Sequence, residues 1–206
     1  MHPRLVTKPA RPLAALIVPL VALTVSSLPL AAHAEALNYN FVDATHFPEA
    51  KIDHGNFDVD GHGWQLRGSL AVAPNFFGFA DFQSLNLDHG VDSRRVIVGG
   101  GAHWPINNTI DIVGRLGVVN YKVDTGPVDD DDTGVFVGAR VRAIVYPKIE
   151  VEAGVEHQHV SVFDLKNDTY LVGEARYNFT PQLSAGVTVN AGGDAEMIGA
   201  QARFSF

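Results

Sequence analysis

The sequence predicts an all-β fold: a transmembrane, antiparallel, up-and-down β-barrel of ten strands, preceded by a cleaved signal peptide. Three observations predict it. Apolar residues recur at every second position through most of residues 37–206, the period of strands with two different faces. The connections alternate between short ones that contain proline and long ones that are polar and acidic. The first 34 residues carry the three parts of an export leader. Composition agrees: the chain is 46% hydrophobic and 18% charged, has no cysteine, and carries a formal charge of −8. Those values exclude a disordered chain, a disulfide scaffold and the basic patch of a nucleic-acid binder.

The leader comes first. Arg4, Lys8 and Arg11 form a positive start, an apolar stretch runs from Leu13 to about Leu30, and Ala32-His33-Ala34 supplies a small-x-small site. Cleavage is expected after Ala34. The stretch is nearly long enough to be an uncleaved anchor, but Pro19, Pro29 and the cleavage site oppose that. The mature barrel domain is then 35–206. Loss of the leader's three cations lowers the formal charge from −8 to −11. An exported chain without cysteine does not rely on disulfides, which fits a Gram-negative envelope.

The strands follow in order at 37–46, 62–73, 76–86, 94–105, 109–122, 133–146, 149–161, 169–179, 183–190 and 196–206. Eight strands is the alternative, should the weak first and ninth be miscounted. The second sets Trp64, Leu66, Leu70 and Val72 against Gln65, Arg67 and Ser69. The sixth sets Val135, Val137, Val141 and Val145 against Arg140 and Arg142; the seventh sets Ile149, Val151 and Val155 against Glu150, Glu152 and Glu156. The tenth sets Ile198, Ala200, Ala202, Phe204 and Phe206 against Gln201, Arg203 and Ser205. Short turns are expected at Pro74-Asn75, Pro105 to Asn108, Pro147-Lys148 and Pro181-Gln182. Long loops are expected at Pro48 to Asp60, Leu87 to Ser93, Val123 to Asp132, Val162 to Asp168 and Ala191 to Ala195. Tight turns at one end and long loops at the other are the layout of an outer-membrane barrel, and an even strand count returns both termini to the short-turn side.

Alternation does not say which face points inward, because a soluble sandwich would bury the apolar one. Strand length favours a membrane, since a tilted membrane strand needs about 9–11 residues. So does the need to leave no open edge in lipid. Phe76, Trp104, Tyr146, Tyr177, Phe179 and Phe204 gather at the short-turn end, where an aromatic girdle would sit. The chain also ends on Phe206.

A terminal strand ending in Phe206, with Phe204 two residues before it, resembles the assembly signal of bacterial outer-membrane barrels, although Gln201 stands where that signal commonly has glycine. The resemblance implies that Phe204 and Phe206 present the chain to the barrel-assembly machinery. The layout as a whole resembles the small OmpA/OmpX-type barrels. Leu37-Asn38-Tyr39-Asn40-Phe41-Val42 and the segment from Gly63-Trp64 to Ala73-Pro74-Asn75-Phe76 are similar to a family of small outer-membrane barrels once proposed as precursors of a secreted quorum-sensing signal. That resemblance implies an outer-membrane location and a barrel fold; signalling is not carried over.

With the polar face inside, the lumen collects Arg67, Arg95, Arg115, Arg140, Arg142, Arg176 and Arg203 with Asp81, Asp111, Glu150, Glu152, Glu156 and Glu174. A barrel this narrow is filled by side chains, so these charges are expected to form a ladder that plugs it. The competing reading is a narrow, porin-like channel lined by charged rings. The function expected is structural or surface-interacting, without a cofactor, a resident metal or catalysis. The expected partners are outer-membrane lipids and lipopolysaccharide. The loop run Asp129-Asp130-Asp131-Asp132 can draw divalent cations, although a solvated, self-repelling loop is the favoured reading. His159 and Ser161 share a face and loosely resemble the His-x-Ser arrangement of outer-membrane lipid A deacylases, which would make a membrane-facing hydrolase; no acid stands where it would orient the base. His157 and His159 lack a third metal ligand nearby. Gly99-Gly100-Gly101 has no helix after it to bind phosphate and is expected to admit neighbouring side chains.

Overall fold

The computed structural model describes residues 37–54, 57–126, 129–162, 165–192 and 195–206; the expected leader lies outside them. Ten strands form one closed antiparallel barrel: β1 (Phe41–His54), β2 (Phe57–Ala73), β3 (Phe76–Leu87), β4 (Val91–Asn107), β5 (Ile110–Asp124), β6 (Asp129–Tyr146), β7 (Ile149–Val162), β8 (Leu165–Asn178), β9 (Leu183–Gly192) and β10 (Ala195–Ser205). Each strand pairs with its sequence neighbours, and β1 closes the ring on β10 from Phe41 opposite Ser205 to Ile52 opposite Ala195. The ten-strand count holds, and the eight-strand alternative falls.

The strands differ from expectation at their outer ends. Nearly all the expected long loops are ladder instead. β1 and β2 remain paired as far as His54 opposite Phe57, within the expected Pro48–Asp60 loop. Pro48 fits because the strand bulges there: the register slips between His46 and Glu49 on one side and between Phe47 and Ala50 on the other. A bulge is where a residue without an N–H can sit in a sheet. The slip also switches parity, so Phe41, Asp43, Thr45 and Phe47 face inward, and then Ala50. The aspartate run is likewise no loop: Asp129 to Asp132 lie in β6, opposite Asp124 to Tyr121. Leu87 to Ser93 shrinks to a single 3-10 turn, Asp88–Gly90, whose His89 takes a left-handed φ of 65°. β8 starts at Leu165, and β9 and β10 run to Gly192 and from Ala195, so the other two expected loops are short as well. The first strand begins at Phe41 rather than residue 37, because Leu37 to Asn40 leave the ladder and cross the mouth of the barrel.

Both described termini lie at the short-turn end. The Phe206 N–H donates to the Asn40 carbonyl (3.0 Å), and the Asn38 amide donates to the Phe206 carbonyl (3.3 Å). Gly101 shows what the glycine run does, since a Cβ there would lie 2.2 Å from the Phe77 ring.

Burial is inverted relative to a water-soluble protein. Leu116 is 61% exposed and Val98 58%, whereas Arg176 and Arg203 are each 2% exposed. Val42, Leu66, Leu70, Val137, Val155, Leu171, Val187 and Ile198 continue the exposed apolar wall around the ring. The six aromatics of the expected girdle are all exposed on that wall. Such a surface suits hydrocarbon, where every backbone group must be satisfied within the closed ladder.

Candidate functional site

The bore is the site, and strand parity builds it. Inward positions of β1, β2, β5, β6, β7, β8 and β10 bring charged groups from opposite sides of the ring to its middle. Arg140 on β6 is the hub. Its guanidinium donates to Glu152 (2.8 Å), Glu174 (3.0 Å) and Glu156 (2.5 and 2.9 Å). Arg67 on β2 reaches across the lumen and grips both oxygens of Glu174 on β8, at 2.7 and 2.9 Å. Arg176 donates to Glu174, to Glu150 at 2.5 Å and to Glu152 at 3.1 Å. Arg142 donates to Glu150 (2.6 Å) and to the Asn38 carbonyl (2.8 Å). Arg115 donates to Glu156 at 2.6 Å while lying 4.1 Å from the centre of the Phe79 ring.

All thirteen charged residues assigned to the lumen are buried, and ten of them meet in this network. The other three stand apart from it. Asp81 accepts two hydrogen bonds from the Gln65 amide (2.8 and 2.7 Å), and Asp111 accepts one from the Tyr39 hydroxyl (2.8 Å) with His103 at 3.0 Å. Arg95 is buried with an unpartnered Nε.

Sequence reasoning missed Asp43. It is 1% exposed and accepts from Arg67 (2.8 Å) and Arg203 (2.7 Å), so among the described residues the buried acids number seven and equal the seven buried arginines. A carboxylate in mid-strand, flanked two residues away by Phe41 and Thr45, was the available signal. Also missed was an apolar filling: Tyr39, Phe77, Phe79, Ile97, Val113, Val119, Phe136 and Val160 form a cluster inside the barrel. Tyr39 stacks on His103 at 4.0 Å and on Phe77 at 5.0 Å, and Arg203 lies 3.6 Å from the Phe41 ring centre. Aromatic faces thus receive the guanidinium planes that carboxylates leave open.

Little space remains. A void of about 30 Å³ lies among Phe41, Arg67, Phe79 and Arg115, and another of about 20 Å³ among Gln65, Arg95, Glu156 and Met197. Each is no larger than the space of about one or two waters. The bore widens to about 170 Å³ at the short-turn mouth, beside Asn38, Ser184 and Arg203.

The His-x-Ser pair lies on β7. His159 faces outward and is exposed, His157 contacts the Thr169 hydroxyl at 2.9 Å, and the Ser161 side chain lies outside those described. Glu174 on the neighbouring strand is buried on the other side of the wall.

No family model and no curated protein matches the chain by sequence. Solved structures do match it in three dimensions. The β domain of the Bordetella autotransporter BrkA aligns at a TM-score of 0.51 and 12% identity, covering 82% of this chain and 100% of that one. An outer-membrane channel of Pseudomonas putida F1 aligns at 0.51 and 10%, covering 85% and 99%. This chain has the fold of an outer-membrane β-barrel. Neisserial surface protein A is also similar, at a TM-score of 0.45 and 14% identity over 84% of this chain and 100% of that one. At these identities the likeness concerns the fold, so the role of the barrel has to come from its own residues.

Proposed function

We propose that this outer-membrane barrel is a sealed structural and surface-interaction element of the envelope. The observation that carries the reading is the Arg140–Glu174–Arg67 chain, which crosses the bore from β6 to β8 to β2 without a gap. Conduction needs sites that bind weakly enough to release an ion. Here a passing ion would have to separate buried pairs, and stripping one partner from such a pair costs about 3–5 kcal/mol. The competing porin-like reading draws on the same ring of charges, and one measurement divides the two. The full-length barrel in a planar bilayer is expected to show no discrete conductance steps, whereas the doubly truncated R67A/E174A barrel should show them. Discrete steps in the unaltered protein would establish the channel instead.

Catalysis by His159 and Ser161 is disfavoured because Glu174 points to the opposite face of the sheet from His159 and lies in register with Glu152, well down the strand from the pair. The unaltered barrel is accordingly expected to release no fatty acid from lipid A; release that disappears in S161A would overturn this. Phe204 and Phe206 serve as the assembly signal, so replacing both with Ala should lower the folded, heat-modifiable fraction recovered from outer membranes.

A further inference from the structure

The outward face changes character abruptly on β4 and β5. Val96 and Val98, with Leu116 and Val118, are exposed apolar wall. One outward step above them stand Arg94 and, past Asn120, Lys122. The register places Arg94 directly opposite Lys122 on one side and opposite Ser84 of β3 on the other. Like charges facing each other across a ladder repel, and nothing in the barrel's packing requires them there. Lys122 has a local acid, Asp129 at 2.8 Å, with Asp131 opposite it in register. Lys51, another outward lysine, has Glu49 at 2.7 Å. Arg94 is exposed and has no ion-pair or hydrogen-bond partner among the described residues.

The neighbouring aromatics set the height of this feature. Trp64 lies opposite Ser84 and packs against Phe82 with ring centres 5.1 Å apart. Exposed tryptophan collects where hydrocarbon gives way to headgroups. Higher on the same face come Asp92, Asp124 and Asp129, which would repel an anion placed there, while Asp131 stands level with the two cations on the far side of Lys122. An anionic group is therefore attracted at one level only, immediately above a surface that fits acyl chains.

We infer that Arg94 and Lys122, with the Ser84 hydroxyl, form a clamp for the phosphate of an outer-leaflet lipid whose chains lie along Val96, Val98, Leu116 and Val118. The planar guanidinium can engage two phosphate oxygens at once. The bound phosphate would also relieve the repulsion between the two cations. The clamp rests on the outer-membrane reading, and its test separates the two.

In the full-length W104F barrel, Trp64 is the remaining fluorophore. The protein is refolded into phosphatidylcholine vesicles that contain either dansyl-phosphatidic acid or dansyl-phosphatidylcholine, and energy transfer from Trp64 reports which lipid gathers beside it. Phosphatidic acid should be enriched over phosphatidylcholine. Each cation near a membrane surface contributes about fivefold, so R94Q/K122Q should lower the relative association by about 25-fold. R94K, which keeps the charge and loses the fork, should fall between. K148Q, at the opposite rim, should behave as the parent. A heat-dependent gel shift confirms that each variant is folded. Equal enrichment of the two lipids, or a folded R94Q/K122Q barrel that still concentrates phosphatidic acid, would overturn the clamp alone. A protein that enters neither vesicle would overturn the membrane reading and the clamp with it.

Discussion

Two ion pairs of nearly the same length show how differently one interaction behaves in the two regions of this barrel. Arg67 and Asp43 meet at 2.8 Å in mid-bore, with side chains 8% and 1% exposed. Lys122 and Asp129 also meet at 2.8 Å, but at the outer tip, 41% and 63% exposed. Distance therefore says nothing about consequence; the surroundings decide it. In the bore, neither partner can fall back on water, so the loss of one leaves the other stranded. At the tip, water and salt replace either partner readily.

Three substitutions, in order of decreasing effect, test this difference between bore and tip. E174A should be most damaging, because Arg67, Arg140 and Arg176 all lose a carboxylate; destabilisation of about 3–5 kcal/mol is expected from urea unfolding in vesicles. A shift below about 1 kcal/mol would mean that the bore is wetter than its burial indicates. Y39F removes one hydrogen bond to Asp111 and keeps the stack on His103, so a loss of about 1.5–3 kcal/mol is expected by the same measurement. K122Q should leave the unfolding midpoint unchanged.

The tip pair has its own pH signature. Lys122 holds the Asp129 carboxyl below the ordinary aspartate range, through a hydrogen bond and then its charge. Asp129 in turn raises Lys122 above the ordinary lysine range. The depressed acid favours the fold above the normal aspartate value and loses that effect as pH falls through its own. The raised base favours the fold below the normal lysine value and loses that effect as pH rises through its own. NMR titration should therefore show the pair intact at neutral pH, broken at either extreme and weakened by high salt.

Much of this organisation was readable from the residues, for a definite reason. In a barrel wall each position faces either lipid or bore, so the alternation of Val137 and Val141 with Arg140 and Arg142 encodes strand, parity and environment together. The outer ends were not readable in the same way. Beyond the membrane both faces meet water, and a polar run such as Asp129 to Asp132 looks the same in a strand and in a loop; only the ladder to β5 decides. Pro48 misled for a related reason, since a proline normally argues against a strand and the bulge that admits it leaves no trace in composition. The bore's aromatic filling was hidden because Phe79 and Phe136 sit at polar-parity positions, on the faces that also carry Asp81 and Arg140. Asp43 was legible in principle, but on a weak first strand its parity carried little weight.

The placement of Asp43 bears on how the cylinder is completed. It takes Arg67 from the second strand and Arg203 from the last, so it touches both sides of the only seam that joins distant ends of the chain. The same pairing that brings Arg203 to Asp43 also closes the ladder, so the balance of charge inside the bore and the continuity of backbone bonds around it depend on one strand contact.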